Sequence, residues 1–468
     1  MNNLTFLPIT IQSYTKLVRY GMKDIDRISV VGLGKLGAPF VAALAHRGFE
    51  VIGIDNDEAK VRALNQGKAP VDEPELQELI SKNISRIIAV GDYSKITDTD
   101  VTFFLVPTPS ESTGGFSTKY VVSSAKASAE AIKNKKGYHL FVLTSTVMPG
   151  DTEKKLISIL ESSSGKKCGK DFGVCYNPEF IALGSVIHDL LNPDFVLVGE
   201  SDSRAGELLE RFYSRFCENK ARTVRMNIIN AEITKLSVNS FVTTKITFAN
   251  MLARICSGYS GADSDVVTSA IGLDSRIGRK YLKGAVAYGG PCFPRDNKAM
   301  AEVGRRVGEN ALLAVTTDEE NRRITSWLAD KIVSLSKDKK VLILGLSYKP
   351  DTNVAEESQG VYLANELCRR GLKVMAHDPK AMNDARKRLA DSVELCDDLD
   401  KALESSELIV VTTPWKDYAG IGKEYELSSG TTIFDCWRIL THLEEDSRFH
   451  YYAVGVNKNG RSCENGLE

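Results

Sequence analysis

Residues 27–55 read RISVVGLGKLGAPFVAALAHRGFEVIGID. The β-branched run Arg27–Val31 predicts a strand, Ala38–Arg47 a helix, and Glu50–Ile54 a second strand ending at Asp55. Gly32, Gly34 and Gly37 form a GxGxxG turn between the first strand and the helix. The first glycine permits the tight turn, and the second lets backbone approach a pyrophosphate. The third lets helix pack on strand, and the helix N-terminus faces the phosphates. Asp55 stands where a carboxylate accepts from the adenosine ribose hydroxyls and repels a 2′-phosphate. The unit therefore predicts an NAD site, with NAD preferred over NADP.

Outward from this unit, Ile87–Val90, Val101–Val106 and Leu140–Leu143 are further strand candidates, with helical segments between them. Strands alternating with helices imply a doubly wound parallel sheet. Ala231–Ser257 has helical spacing without Pro or Gly and predicts a long spine helix. A second alternating pattern follows, with strands at Val341–Leu346, Lys373–His377, Leu408–Thr412 and Thr431–Asp435 and a helix at Val361–Arg369. The predicted fold is α/β: two Rossmann-like parallel-sheet domains joined by a central helix and a helical middle domain. Expected divisions are an N-terminal extension at 1–24, an NAD-binding domain at 25–226 and a central dimerisation domain at 227–325 carrying the key cysteine. A C-terminal nucleotide-sugar-binding domain at 326–456 and a solvated tail at 457–468 complete the chain.

The bulk properties exclude other classes. Lys+Arg (60) and Asp+Glu (61) cancel, so no global basic field steers the chain to nucleic acid or an anionic membrane. No apolar run is long enough for a membrane span. The first 22 residues lack a signal-peptide h-region and read as a dispensable extension. The nine cysteines contain no CxxC, so neither a metal site nor a disulfide frame is expected, and reduced cysteines fit the cytoplasm.

The most unusual segment is Gly289-Gly-Pro-Cys292-Phe-Pro-Arg-Asp296. Two glycines let backbone come close to a neighbour, two prolines stiffen the turn, and an acid follows the cysteine by four residues. A lone cysteine is usually a small buried hydrophobe; the rigid frame favours a nucleophile. Lys235 and Asn239 are spaced i, i+4 on one face of the spine helix. A lysine on a helix is ordinarily a solvated charge, but a cation beside an amide donor is what an oxyanion requires. The ammonium would also favour a thiolate. Thr146 and Glu179 each follow a strand, and Val106-Pro-Thr-Pro109 would sit at the carboxyl end of the sheet beside the cofactor.

Together these pieces resemble the UDP-glucose/GDP-mannose dehydrogenase family, from about Arg27 to about Tyr452. The ordered matches are the glycine turn, Glu73-Pro74 with Leu76, VPTP, STVMPG (145–150), NPEF (177–180) and Lys235/Asn239. GLDSRIG (272–278), YLKGAVAYGGPCFPRD (281–296), GLSYKPDT (345–352) and FDCWR (434–438) follow. The resemblance implies a four-electron oxidation of a nucleotide-sugar C6 alcohol by two NAD in turn, with UDP-glucose favoured, feeding polysaccharide precursor synthesis. Cys292 would capture the aldehyde as a thiohemiacetal that becomes a thioester. Lys235 and Asn239 would stabilise oxyanions, Asp296 and Thr146 would position water, and Glu179 would be the hydrolytic base.

The same resemblance puts Leu36, Lys60, Pro107, Thr108, Thr146 and Arg295 with Gly32, Gly34, Gly37 and Asp55 around NAD. Phe180, Lys235, Asn239, Arg276, Tyr281, Gly289, Phe293, Lys349 and Arg438 would contact substrate, Arg276 from a neighbouring subunit. Gly284–Gly289 would be a flexible pocket wall, and the spine helix the core of a homodimer.

Two positions depart from the family pattern. Leu183 stands where a second glutamate follows NPEF, and Glu356 where an Arg precedes Glu-Ser. They leave UDP-N-acetylhexosamines and GDP-mannose open as substrates. A two-electron β-hydroxyacid dehydrogenase would share the Rossmann unit and the Lys-x-x-x-Asn pair, but not the GGPCFPRD cysteine or the third lobe. A non-catalytic nucleotide-sugar sensor would not need Cys292, Lys235, Asn239, Asp296 and Glu179 together.

Overall fold

The computed structural model describes residues 24–336 and 340–458; the expected extension up to residue 22 lies outside them. Eight strands form the first sheet: β1 (Arg27–Val31), β2 (Glu50–Ile54), β3 (Ile87–Val90), β4 (Val101–Phe104), β5 (His139–Leu143), β6 (Phe172–Tyr176), β7 (Phe195–Glu200) and β8 (Arg222–Asn227). Their order is β3-β2-β1-β4-β5-β6-β7-β8. All neighbours are parallel except β6 and β7, which touch at Cys175↔Glu200 and Tyr176↔Gly199. The β1, β4 and β5 strands read as near-continuous apolar runs because helices cover both faces of the sheet.

The spine helix runs from Ile228 to Gly258, extending past its predicted ends. Asn227 caps it, its side chain accepting from the Asn230 N–H at 3.1 Å. The helices Phe293–Arg306 and Leu312–Ser336 pack beside it.

After β9 (Ala262–Asp263) a second sheet comprises β10 (Val341–Leu344), β11 (Val374–His377), β12 (Glu394–Leu395), β13 (Leu408–Val411), β14 (Thr432–Asp435) and β15 (His450–Ala453). Its order is β12-β11-β10-β13-β14-β15, all parallel. The expected tail starts later than residue 457: β16 (Val456–Asn457) pairs antiparallel with β9, and the Asn457 amide donates to the Ser257 carbonyl at 3.1 Å.

The two sheets share one turn geometry. In the first, Gly32 has φ +100°, and a Cβ on Gly37 would lie 1.8 Å from the Gly32 carbonyl oxygen. In the second, Gly345 has φ +110°, and a Cβ on Gly360 would lie 1.9 Å from the Gly345 oxygen. Only glycine permits either approach. Asp55 ends β2 and accepts from the Leu33 N–H at 2.7 Å; Asp378 follows β11 and accepts from the Leu346 N–H at 2.7 Å. The carboxylates differ in what remains free. Asp378 is buried and also receives Ser347, Trp415, Lys380 and Ala381, so its oxygens are taken. Asp55 faces the cleft described next.

Candidate active site

A cleft of ≈ 460 Å³ runs from the glycine turn to the cysteine segment. At one end lie Gly32, Gly34, Leu36, Asp55 and Lys60; Pro107, Thr108, Thr146 and Arg295 line its middle; Glu179, Lys235, Cys292 and Asp296 close the other end. These elements are far apart in sequence. They converge because GxGxxG, VPTP, STVMPG and NPEF all leave the carboxyl ends of parallel strands, where ligands of open α/β sheets bind.

The dinucleotide end fits NAD. No atom lies within 4 Å of a Cβ built on Gly34, so the backbone is open to a bulky ligand. Asp55 takes the Leu33 and Asp57 N–H groups, and the Lys60 ammonium stands 3.6 Å from it. The Thr108 hydroxyl donates to the Thr146 carbonyl at 2.8 Å. Arg295 donates to the Thr108 carbonyl at 3.1 Å and lies over the Phe116 ring. The cofactor-side loops are thereby bolted to the cysteine helix.

At the chemical end, Cys292 immediately precedes the helix Phe293–Arg306, and its sulfur opens to the cleft. Lys235 and Asn239 are both buried on the spine face turned toward it. The Asn239 amide donates to Asp296 Oδ2 at 2.7 Å. Lys235 donates to the Glu179 carbonyl, stands 3.9 Å from the Glu179 carboxylate and lies 4.7 Å above the Phe180 ring. Lys235 favours the thiolate, as expected, but its effect is outweighed by the surroundings. Burial, then Asp296 and Glu179, push the Cys292 thiol up to about 11, outweighing Lys235 and Arg295. The thiol is accessible at its tip yet enclosed by protein on its other sides, so the raised value follows from its partial desolvation.

The sign of that shift gives a test. Without ligands the reactive thiolate is scarce at neutral pH and grows as pH rises toward about 11. Alkylation of the Cys292 peptide by iodoacetamide, followed by mass spectrometry, should quicken about tenfold per pH unit between pH 7 and 10. A rate already level at pH 8 would mean that Lys235 dominates.

The glycines before the cysteine make room for the second lobe. A Cβ on Gly289 would meet the Glu357 carbonyl oxygen at 2.2 Å, and one on Gly290 the Tyr348 ring at 2.5 Å. They let the C-terminal lobe close against the cysteine segment. The expected flexible wall at Gly284–Gly289 is instead pinned. Ala285, Val286, Ala287 and Tyr288 are buried. Asn250 bonds to the Ala285 N–H and the Val286 carbonyl, and Asn321 to the N–H and carbonyl of Tyr288. Four apolar side chains gain burial, and two amides satisfy the backbone that burial strips of water.

The remaining predicted substrate residues divide. Phe293 begins the cysteine helix, and Tyr281, half exposed with φ 63°, meets its ring edge-on. Lys349 lies half-buried, and burial lowers its pKa despite Asp189, Glu73 and Asp351 nearby. Arg276 is on the surface, paired with its neighbour Asp274. Arg438 is not brought to the cleft. Its guanidinium holds both Asp265 oxygens at 2.8 Å and the carbonyls of Cys436, Val454 and Gly284. Leu183 is half-buried in the NPEF loop, and exposed Glu356 borders a shallow depression with Glu111, Arg295 and Lys298.

Three family profiles match in chain order. They are the NAD binding domain (residues 26–217), central domain (229–323) and UDP binding domain (342–442) of the UDP-glucose/GDP-mannose dehydrogenase family. The chain belongs to this family. It is therefore an NAD-dependent nucleotide-sugar 6-dehydrogenase. UDP-glucose 6-dehydrogenase AglM of Haloferax volcanii is 33% identical over 427 residues, covering 89% of this chain and 98% of that protein. GDP-mannose 6-dehydrogenase of Pseudomonas aeruginosa is 33% identical, covering 82% of this chain and 91% of that one. The solved structure of a UDP-glucose dehydrogenase from Pyrobaculum islandicum superposes with a TM-score of 0.83 at 31% identity, covering 94% of this chain and all of that chain.

Proposed function

We propose that the protein oxidises the C6 alcohol of UDP-glucose to the carboxylate of UDP-glucuronate, with Cys292 carrying the sugar between the two oxidations. The observation that supports this most is the continuity of one cleft from Gly34 and Asp55 to Cys292, Lys235, Glu179 and Asp296. Bound NAD supplies the hydride acceptor, one molecule for each oxidation.

Lys235 has three ammonium donors, one of them engaged by the Glu179 carbonyl, so two remain for an alkoxide at C6. Asn239 fixes Asp296 so that the carboxylate and Thr146 can hold a water that takes the alcohol proton. Once the aldehyde forms, the Cys292 sulfur bonds to C6, and its proton passes to the carboxylate–water set. Lys235 neutralises the oxyanion. Loss of the second hydride from C6 leaves a thioester. Glu179 then takes a proton from water as the water oxygen attacks C6. The C–S bond breaks, and the departing sulfur regains a proton.

The apolar residues Phe241, Phe248, Met251 and Ile255 exposed along the spine helix support a homodimer through that helix, in which Arg276 would reach the neighbouring substrate. No helix of the described residues is long and apolar enough to cross a membrane. A cytoplasmic setting, which keeps thiols reduced, suits the free Cys292.

A second reading, GDP-mannose as substrate, is favoured by the Pseudomonas relative alone among the proteins named above. NADH absorbance with purified enzyme and a panel of UDP-glucose, UDP-N-acetylhexosamines and GDP-mannose tests both. The highest kcat/KM is expected with UDP-glucose; turnover of GDP-mannose only would replace it.

A further inference from the structure

The spine-helix face that carries Lys235 and Asn239 has a third polar residue. Glu232 lies three residues before Lys235 and seven before Asn239, on the same stripe. Its side chain is completely buried and does not line the cleft. Its two oxygens accept from the backbone N–H groups of Gly150 (2.5 Å) and Thr152 (2.9 Å). Those amides form the turn that directly follows Ser145-Thr146-Val147-Met148. Thr146 in turn lines the cleft and receives the Thr108 hydroxyl on its carbonyl. Lys235 and Asn239 ride on the spine; Thr146 and Thr108 ride on the loops of the first sheet. Glu232 joins the two bodies directly.

An ionised carboxylate can accept from both N–H groups. A neutral acid or an amide accepts fully from one and must turn a donor toward the other. No cation pairs with Glu232 within salt-bridge distance among the described residues; the neighbouring Asp151 is itself paired with Lys155 at 2.9 Å. The buried Tyr176 hydroxyl also faces this region.

We propose that Glu232 is a positioning residue: its carboxylate locks the Thr146 loop to the spine helix and sets the spacing between the cofactor-side wall and the Lys235–Asn239 face. This rests on the dehydrogenase reading above, in which hydride passes between those two walls. Glu232 itself touches no reacting atom.

The test compares wild type and Glu232→Gln as full-length enzymes, using whichever nucleotide-sugar the wild type oxidises. Loss of one charge-assisted hydrogen bond should lower kcat by about tenfold to hundredfold, with KM changed less than about threefold. In hydrogen exchange of the ligand-free proteins, the Gly150 and Thr152 amides should exchange faster in the variant. Burial raises the Glu232 pKa, while Asp151 and the Tyr176 hydroxyl face it and Lys155 neutralises Asp151. The wild-type kcat should therefore fall on the acid side as Glu232 takes a proton. In Glu232→Gln, which has no proton to gain at this position, that limb should be lost. Glu232→Asp, ionised but one methylene shorter, should recover part of kcat, and it serves if the Gln variant does not fold. Wild-type kcat despite fast exchange at the two amides, or an unmoved acid limb, would overturn the proposal. Fast exchange is expected whatever the sugar, so a wrong substrate assignment leaves a distinct signature.

Discussion

Replacing Cys292 by serine is expected to slow uronate release by on the order of 10⁴-fold and to leave an acyl group on the protein. In the proposed route the sulfur forms a bond that water must later break, and an oxygen ester resists that last step more than a thioester does. Intact-protein mass after incubation with NAD and UDP-glucose should show the added acyl mass in the serine variant. Cys292→Ala cannot form the adduct and should stop after at most one hydride. Neither variant should lose much stability, since the thiol tip opens to the cleft and fills no core space. The raised thiol pKa sharpens the expectation: without ligands, Cys292 is a protonated reserve rather than a standing thiolate. Uronate at the wild-type rate from Cys292→Ala would remove the covalent step altogether.

Lys235→Met should lower kcat by about 10²- to 10³-fold, the usual loss for one preorganised oxyanion donor. Lys235 is buried between the Glu179 carbonyl and the Phe180 ring, so its charge acts in a medium of low dielectric. Methionine preserves most of the stem volume while deleting the charge. A second consequence separates this role from a packing role. The Lys235 field lowers the Cys292 pKa, so iodoacetamide should label Cys292 more slowly in Lys235→Met at a given pH. Unchanged labelling together with normal turnover would mean that the ammonium is only structural. Lys235→Arg is not expected to rescue, because a planar guanidinium cannot occupy the pocket that a compact ammonium fills above Phe180.

Much of this site was legible because its parts are tied to strand ends. The run Arg27–Asp55 contains its own turn, its own carboxylate and its own helix start, so local sequence determines local structure. Lys235, Asn239, Asp296 and Cys292 are legible for another reason: their spacing suggests a shared face and a rigid turn, and the resemblance to a known family then supplies their roles. The missed features depend on contacts that span the chain. Asn250 and Asn321 pin the Gly284–Gly289 segment from two helices, and neither has a local signal. Gly289 and Gly290 were read as making room for a neighbour; only the folded chain identifies it as Tyr348 and Glu357 of the second lobe. The bonding of Arg438 is not legible from its motif, because the Asp265 carboxylate that its guanidinium holds lies in another domain. Glu232 could have been found: a buried-face acid three residues before Lys235 repeats the spacing logic that identified Asn239.

The most direct test of the account is the count of NADH formed per UDP-glucuronate released by the wild-type enzyme at completion. Capture of the aldehyde on Cys292 and its second oxidation in place predict two NADH for each uronate, with no free aldehyde in solution. One NADH per substrate, with the aldehyde as the released product, would contradict it.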